Sequence, residues 1–373
     1  MKKANRRRIL LLIFCVLFNA AAWMSRGFSD WYTNCIFPLW GRTYGRLTSL
    51  FPFSVGEWAI LFGLLWLFVL FLRTVLALPA RMAKKEKRFR KSLGRMPALT
   101  ADLLTGIALI MSLNCFVLYH CTPLDRRADE HAFSQTELAA LRDLIVEECN
   151  ERAATIARDP DGQAVFSDEP EELARTAVRT LGTRLFPRLG GYSVRPKTFF
   201  FSDFVSQQYM MGYYFPFTME ANINGRMETL NRPFTMCHEL AHTHGYIYED
   251  EANLIGFLAC LSSDDPAFVY SGYLGVLPYV NRDFHDNVGD EIYAAHPAIS
   301  DQVRVDVQFL SKESWAAVEK NAVLDTEMVR RAADTFIDQN QKLNGVRAGK
   351  ASYSHVVALL LSYYAGEASY LQP

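Results

Sequence analysis

The sequence predicts a mainly α-helical protein with a small β-sheet, in which N-terminal membrane-spanning helices precede a folded domain outside the bilayer. Three long apolar segments with few charges lie in the first third of the 373 residues. After them, no apolar run is long enough to cross a bilayer, and apolar residues recur at helical spacing. Two short stretches rich in aromatic and β-branched residues predict the sheet.

The predicted membrane region, residues 1–121, contains three transmembrane helices. They cover about 9–25, 57–78 and 103–121, close to the roughly 20 residues that a bilayer requires. The first segment has the basic start of a signal peptide but no convincing small-x-small cleavage site, so we interpret it as uncleaved. Residues 28–50 carry several aromatic side chains and predict an interfacial loop.

Basic residues precede the first predicted span and separate the second from the third. The second group comprises Arg81, Lys84, Lys85, Lys87, Arg88, Arg90, Lys91 and Arg95. The positive-inside rule places both groups in the cytoplasm, so the domain formed by residues 122–373 lies outside it. Cleavage of the first segment leaves that placement unchanged. We therefore predict a multi-pass cell-membrane protein with a cytoplasmic N-terminus, an extracytoplasmic domain and the lipid bilayer as partner.

Composition argues against several classes of protein. The net charge of -1 shows no global basic bias, which argues against nucleic-acid binding. The seven cysteines include no Cys-x-x-Cys pair, which argues against a disulfide scaffold or a zinc ribbon. The predicted spans carry acidic residues only at their ends, Glu57 and Asp102, which argues against an ion pathway.

The region after residue 121 alternates between helical and extended patterns. A capping box, Ser134 with Glu137, opens a helix toward Arg158. Further helices are expected near residues 171–185, 249–261, 267–280, 299–310, 325–343 and 352–364, with a loop at 281–297. Residues 198–204 predict a short strand. Residues 213–224 predict another extended segment, where Pro216 favours a sheet edge.

The strongest chemical signal is the pattern His-Glu-x-x-His at residues 238–242. Positions four apart share one face of a helix, so His238 and His242 can direct two imidazoles at one metal ion. Glu239 lies beside that face, where a general base for a metal-activated water belongs. The pattern therefore predicts a Zn²⁺ site, for which a third protein ligand is still needed.

The residues after the motif suggest where that third ligand originates. Gly245 can adopt the positive φ that ends a helix, so the chain can reverse and return an acidic side chain. We expect Glu249 to ligate the metal and Asn253, four residues on, to support a ligand through a hydrogen bond. Glu251 is the alternative third ligand. It lies about 200° around the helix from Glu249, so both cannot face the ion.

The motif pair resembles the zincin metallopeptidases of the gluzincin kind, in which a glutamate on a later helix completes the zinc site. Membrane-bound members often carry Glu-x-x-Ala-Asp at that point, and residues 249–253 are similar, with Asn253 in place of the aspartate. The resemblance favours Glu249 over Glu251. It implies a zincin-like α+β metallopeptidase domain.

The whole chain also resembles a family of uncharacterised bacterial membrane proteins, the domain of unknown function 3810. The similarity lies in a Pro-Phe-Ser-Val-Gly stretch within the membrane region and a His-Glu-Leu-Ala-His domain after it. The matching residues are 52–56, 216–224, 233–245 and 249–253. This resemblance implies a zinc-peptidase fold and brings no assigned substrate.

These observations predict a membrane-anchored zinc peptidase with Glu239 as general base. Its peptide or protein substrate is expected to pair with an edge strand within residues 213–224, although a plain β-hairpin explains that segment equally well. Tyr270 and His296 are candidates for the donor that stabilises the oxyanion. The alternative function is a non-catalytic zincin-like membrane sensor or assembly factor. The intact Glu239 favours the enzyme.

Overall fold

The computed structural model describes residues 2–83, 85–124, 133–343 and 353–366. These residues are mostly helical and form one small sheet, which confirms the predicted class at that level. The helices before residue 124 are α1 (Lys2–Met24), α2 (Arg26–Cys35), α3 (Phe37–Trp40), α4 (Arg46–Thr48), α5 (Val55–Met82), α6 (Glu86–Leu93) and α7 (Met96–Asn114). A π-helical turn, Gly41–Gly45, joins α3 to α4, and a 3₁₀ turn, Phe116–His120, follows α7.

Three segments of the described chain are helical, long and apolar enough to cross a membrane. They are Lys3–Met24, Val55–Pro79 and Met96–His120, and we refer to them as spans 1, 2 and 3. Span 3 begins earlier than expected because Pro97 lies in the first turn of α7, where its missing N–H costs no hydrogen bond. The three predicted membrane-spanning segments are thus present as apolar helices.

Spans 1 and 3 lie side by side and run in the same direction. Near their starts, the Arg8 guanidinium donates to the Asp102 carboxylate at 3.0 Å. Near their ends, the rings of Trp23 and His120 are 4.8 Å apart. The basic start of span 1 and the end of span 3 therefore lie at opposite ends of this helix pair.

The segment between spans 1 and 2 is helical, so the expectation of a loop at residues 28–50 is wrong. Helices α2 to α4 bury aromatic side chains against the rest of the protein. Tyr32 and Phe37 pack in one cluster with Met219 and Ile247 from far along the chain. Helix formation satisfies the backbone of a segment that is covered by protein, where an irregular loop would leave polar groups unpaired.

The remaining elements form the region around the motif. The helices are α8 (Gln135–Thr155), α9 (Pro170–Arg184), α10 (Ser202–Gln207), α11 (Arg232–Thr243), α12 (Glu249–Leu261), α13 (Pro266–Ala294), α14 (Asp301–Asp306), α15 (Lys312–Asn321), α16 (Thr326–Leu343) and α17 (Tyr353–Tyr364). The strands are β1 (Lys197–Thr198), β2 (Gly212–Phe215) and β3 (Glu220–Ile223). Short 3₁₀ turns occupy Pro187–Gly190 and Thr229–Asn231.

The sheet has the order β1-β3-β2, so β2 forms one edge of the sheet as described. Strand β1 pairs with β3 in parallel, and β2 pairs with β3 antiparallel, with Tyr213 opposite Asn222. The extended segment predicted at residues 213–224 is thus a hairpin of two strands. Met219 in its turn has a φ of 53°, a conformation that few residues other than glycine adopt.

The strand expected at residues 198–204 is mostly absent, because only Thr198 belongs to β1 and α10 begins at Ser202. The carboxylate of Glu57 accepts hydrogen bonds from the backbone N–H groups of Phe200 and Phe201, at 2.8 and 3.0 Å. These groups are therefore paired with the first turn of α5 and not with a neighbouring strand. A contact distant in sequence overrides the local β-propensity.

The helical core forms from α11, α12 and α13, with α8 and α17 packed on them. The predicted capping box is present at α8, where Ser134 and Glu137 bond each other's backbone. The expected loop at residues 281–297 is wrong, because α13 continues to Ala294 with a kink at Gly289. The Arg142 guanidinium of α8 lies 4.9 Å from the Tyr293 ring, which packs this extension onto α8.

A buried ion pair connects the sheet to the start of span 2. Lys197 of β1 contacts the carboxylate of Glu220 on β3, and both side chains are almost completely buried. The same carboxylate accepts the N–H groups of Val55 and Gly56 in the first turn of α5, at 3.0 and 2.7 Å. Negative charge at a helix N-terminus is favourable, so this contact fixes α5 to the sheet.

We expect Lys197→Met to reduce the free energy of unfolding by about 3 kcal/mol, because it leaves the Glu220 carboxylate buried without its cation. Thermal unfolding of the full-length protein in detergent micelles measures the effect. Arg226→Met is the matched control, since it removes an ion pair with Asp203 in which the arginine side chain is 41% exposed. That variant should lose at most about 1 kcal/mol. Equal losses in the two variants would contradict the role of the buried pair.

Candidate metal centre

Helix α11 carries both motif histidines on one face. Pro233 lies in the first turn of α11, where proline is well tolerated, and no proline or glycine interrupts the helix after it. The Nε2 atoms of His238 and His242 are 3.1 Å apart, and their rings are perpendicular. The four-residue spacing therefore brings the two imidazoles together as the sequence predicts.

The chain reverses after α11 at Gly245, which has a φ of 90°. This conformation strains residues with a Cβ, and a Cβ here would also lie 2.8 Å from the Thr33 side chain. Helix α12 then begins at Glu249. The glycine expected to end the motif helix does so, and the turn returns Glu249 to the histidines.

The Glu249 carboxylate completes a three-residue cluster. Its Oε2 lies 3.2 Å from Nε2 of His238 and 3.8 Å from Nε2 of His242. One potential ligand atom from each residue lies within 4.8 Å of the others. Ligands on a tetrahedral zinc at 2.0–2.1 Å are about 3.3 Å apart, so this donor set fits the ion.

The second nitrogen of each histidine is held by a hydrogen-bond acceptor. Nδ1 of His238 lies 2.9 Å from Oδ1 of Asn253, and Nδ1 of His242 lies 2.7 Å from the carbonyl oxygen of Tyr246. Both acceptors favour the tautomer with the proton on Nδ1, which leaves the lone pair of Nε2 directed at the cluster. Asn253 thus lies in the supporting position expected for it.

Glu239 is buried beside this cluster. Its side chain packs under Gly212 of β2, where a Cβ would lie 2.5 Å from Oε1. The other oxygen, Oε2, has no hydrogen-bond partner within the part of the chain that the structure describes. Burial raises the pKa of Glu239 to about 8, the charge of His238 opposes the rise, and the charge of Glu249 adds to it. A cation at the cluster would favour the carboxylate form.

The three cluster residues have unlike titration behaviour. Partial desolvation disfavours the charge of Glu249, whose side chain is 46% exposed. The hydrogen bond with His238 and the charges of both histidines outweigh this effect and lower the pKa of Glu249 to about 2. Burial lowers the pKa of His242 to about 4. Burial also opposes protonation of His238, yet the hydrogen bond to Glu249 and the nearby carboxylates raise its pKa overall. The cluster therefore stabilises an anionic Glu249 and a neutral His242.

Glu251, the alternative third ligand, lies elsewhere. Its Oε1 accepts the backbone N–H of Leu124 at 2.6 Å, just after span 3. Burial and then the charge of Asp250 raise the pKa of Glu251 to about 7. Positions two residues apart on α12 thus point the two glutamates in different directions, and the structure brings Glu249, not Glu251, to the histidines.

The two candidate oxyanion donors make contacts with other residues. The Tyr270 hydroxyl donates to Asp306 at 2.8 Å, and Asp306 also pairs with Arg158. His296 bonds the Asp143 carboxylate of α8 at 2.7 Å. The partners of both side chains are carboxylates outside the cluster, so Tyr270 connects α13 to α14 and His296 fixes the chain after α13 to α8.

Tyr213 of β2 is a phenol near the site that did not figure among those candidates. Tyr213 is 37% exposed. Partial desolvation, followed by the charges of Cys115, Glu239 and Glu249, raises the pKa of Tyr213 to about 12. Its hydroxyl therefore stays protonated near neutral pH and can donate a hydrogen bond. The sequence could have pointed to this residue, because Tyr213 begins the extended segment predicted at residues 213–224, beside the motif helix.

Fold and site together define a mainly helical chain with three helices able to span a membrane and a His-His-Glu cluster beyond them. A family model described as "Protein of unknown function (DUF3810)" matches residues 32–361. The chain belongs to this family. The match crosses residue 121, so the family unit includes spans 2 and 3 as well as the region around the cluster. No curated protein and no solved structure matches the chain.

We expect Asn253→Ala to weaken zinc binding by about 10–100-fold, because His238 loses the acceptor that orients it. Glu249→Ala should weaken it further, since a ligand is lost. Competition with a chromophoric zinc chelator measures both affinities in purified full-length protein. Glu251→Gln is the control and should bind zinc like the wild type. An equal loss in Glu251→Gln and Glu249→Ala would contradict the assignment of the third ligand.

Proposed function

We propose that this protein is a membrane-anchored zinc metallopeptidase with a zincin-like domain of the gluzincin kind. The observation that carries the proposal is the convergence of His238, His242 and Glu249 within 4.8 Å, with Glu239 buried next to them. Among the described residues this arrangement supplies three protein ligands, the number that a catalytic zinc site uses when its fourth position is left for water or substrate. Structural zinc sites are usually closed by four protein ligands, which favours a catalytic role.

The chemistry follows from the residues around the cluster. His238, His242 and Glu249 would hold the ion, which when bound acts as a Lewis acid and lowers the pKa of water. Oε2 of Glu239 has no hydrogen-bond partner among the described residues, so it would accept a proton from the water that attacks the peptide carbonyl. Glu239 then passes that proton to the amine that leaves. The rigid supports of both imidazoles, Asn253 and the Tyr246 carbonyl, keep the ligands oriented throughout.

The edge strand β2 supports a polypeptide as substrate. Its Gly212 lies directly over Glu239, so a peptide that extends the sheet along β2 passes beside the general base. The hairpin that residues 212–223 form is compatible with this role and with a purely structural one. The edge position, together with the contact to Glu239, is the reason we favour substrate binding.

The side of the membrane follows from charge. The basic residues around span 1 and between spans 2 and 3 favour a cytoplasmic location for those ends. Helices α1 and α7 both direct their C-terminal ends toward the region that contains the cluster. We therefore propose that peptide hydrolysis occurs outside the cytoplasm.

Glu239→Gln should reduce peptide hydrolysis by about 10²–10⁴-fold while zinc affinity stays at the wild-type value, because the amide cannot accept the proton. Hydrolysis of a denatured protein mixture by zinc-loaded, full-length protein measures the rate, and a chelator competition measures the metal. Wild-type activity in this variant would exclude Glu239 as base. A zinc-loaded wild type that binds a partner saturably and hydrolyses nothing would favour the non-catalytic sensor or assembly factor.

Gly212→Ala should reduce kcat by about 10–100-fold, because the new methyl group displaces the Glu239 carboxylate from its position. Zinc affinity should be unchanged, since the atoms nearest to the new methyl group belong to Glu239 and Asn222 and not to the three ligands. Gly190→Ala is the matched control, as a Cβ there meets open space. If both alanine variants retain full activity, the packing of β2 on Glu239 does not contribute to catalysis.

A further inference from the structure

We infer that the substrates are membrane-anchored polypeptides, cleaved within about ten residues of the point where they leave the bilayer. This inference rests on the proposed peptidase function and adds its class of substrate. Three observations support it. The cluster contacts span 3, the edge strand contacts span 2, and an exposed apolar surface lies beside span 2.

Two tyrosines connect the cluster directly to the end of span 3. The Tyr214 ring lies 6.2 Å from the His242 ring, and its hydroxyl donates to the backbone carbonyl of Asn114 at 3.3 Å. Tyr248, which immediately precedes Glu249, donates to the carbonyl of Tyr119 at 2.6 Å. Asn114 and Tyr119 both belong to the last turns of span 3. One side chain therefore separates the cluster from a membrane-spanning segment.

The edge strand is held by the start of span 2. The space above Gly56, in the first turn of α5, is filled by the ring of Phe215, the last residue of β2. Glu220, which pairs with Phe215 across the hairpin, accepts the N–H groups of Val55 and Gly56. One end of β2 is thus fixed at the level where span 2 begins.

The other end of β2 reaches the general base. Gly212, the first residue of the strand, covers Glu239. A strand rises about 3.3 Å per residue, so the four residues of β2 cover about 10 Å. A polypeptide paired with β2 therefore travels from the start of span 2 to Glu239 in about three or four residues.

An exposed apolar surface lies beside span 2 at the same level. We call it the aromatic platform; it consists of Phe200, Phe201, Phe204, Val323 and Leu324. These residues form the apolar part of a pocket of about 700 Å³, whose remaining wall is largely polar and includes Asp203 and Arg226. Phe200 is 69% exposed and Val323 is 95% exposed. The Phe200 ring lies 5.8 Å from that of Trp58, in the first turns of α5.

The continuity of the aromatic platform with span 2 identifies its partner as the bilayer. Tryptophan and tyrosine concentrate where a membrane meets water, and Trp58 lies at that end of its span. The phenylalanines beside Trp58 add apolar area that the bilayer can cover. Phe200, which contacts Trp58, and Phe204, which lines the same pocket as Phe200, are both exposed apolar rings. If the aromatic platform contacts lipid, β2 and the cluster lie close to the bilayer surface. A substrate anchored in the same membrane then needs only a short extended segment to reach the site. Tethering also raises its effective concentration without any new contact.

The test compares three substrates with one unstructured cleavable segment, incubated with zinc-loaded, full-length protein in liposomes. In the first, the segment adjoins a transmembrane anchor; in the second, a Gly/Ser linker of about 30 residues separates them; the third has no anchor. We expect cleavage of the first at least about 10-fold faster than of the third, with cut bonds within roughly ten residues of the anchor. Glu239→Gln provides the blank, and mass spectrometry maps the cut bonds.

The outcomes separate this inference from the proposed function. Equal rates for anchored and unanchored substrates, or cuts spread evenly along the spaced substrate, would overturn the membrane-proximal class and leave the peptidase intact. Failure to cleave any of the three by the zinc-loaded protein would overturn both.

A measurement independent of activity tests the aromatic platform. Val323→Cys, in a background where the exposed Cys35 is replaced by serine, carries a fluorophore that nitroxide-labelled lipids quench on contact. Val165→Cys is the matched control, because Val165 is 50% exposed and lies outside the platform. We expect strong quenching at residue 323 and little at residue 165. Equal quenching at the two positions would remove the membrane contact on which the inference depends.

Discussion

The reversal of the chain at Gly245 is the constraint on which the rest of the site depends. Its positive φ lets α12 return so that Glu249 meets the histidines of α11. Its missing side chain also leaves room for Thr33 and Phe37 of the N-terminal helices. One residue therefore closes the His-His-Glu cluster and allows the segment between spans 1 and 2 to pack against it.

Buried charged and polar groups make the connections between the spans and the cluster region. Glu220 and Glu57 each accept two backbone N–H groups from the opposite side of the junction, and Glu220 also meets Lys197. Burying a charge is costly unless it is paired and hydrogen-bonded, so such contacts tolerate little displacement. They restrict the orientation of the sheet relative to span 2 far more than apolar contacts alone could.

The parts of the site that follow helical geometry could be predicted from the sequence. The four-residue spacing brought His238 and His242 together, and helical phase separated Glu249 from Glu251. Asn253 lies beside His238 for the same reason. Tyr270 and His296 illustrate the limit, because positions far along the chain carry no periodic signal that tells which partner they meet. Whether the cluster binds zinc and catalyses hydrolysis stays a prediction.

The fold shows the same division. The three apolar spans and the helix capped by Ser134 follow from composition and local motifs. The loop expected at residues 28–50 and the strand expected at residues 198–204 were wrong because distant partners decide both. Aromatic burial against Met219 makes the first segment helical, and Glu57 takes the backbone donors of the second. Intrinsic secondary-structure propensity contains no information about partners that are distant in sequence.

The hydrogen bonds from the first turn of α5 to Glu220 limit which fragments of the chain keep the observed fold. A fragment that begins after span 3 lacks Val55 and Gly56, and its Glu220 then faces Lys197 without the two backbone donors. The same fragment lacks Tyr32 and Phe37, so the rings that cover Met219 and Ile247 are missing. Excision after span 3 thus removes contacts that belong to the fold on both sides of the cut.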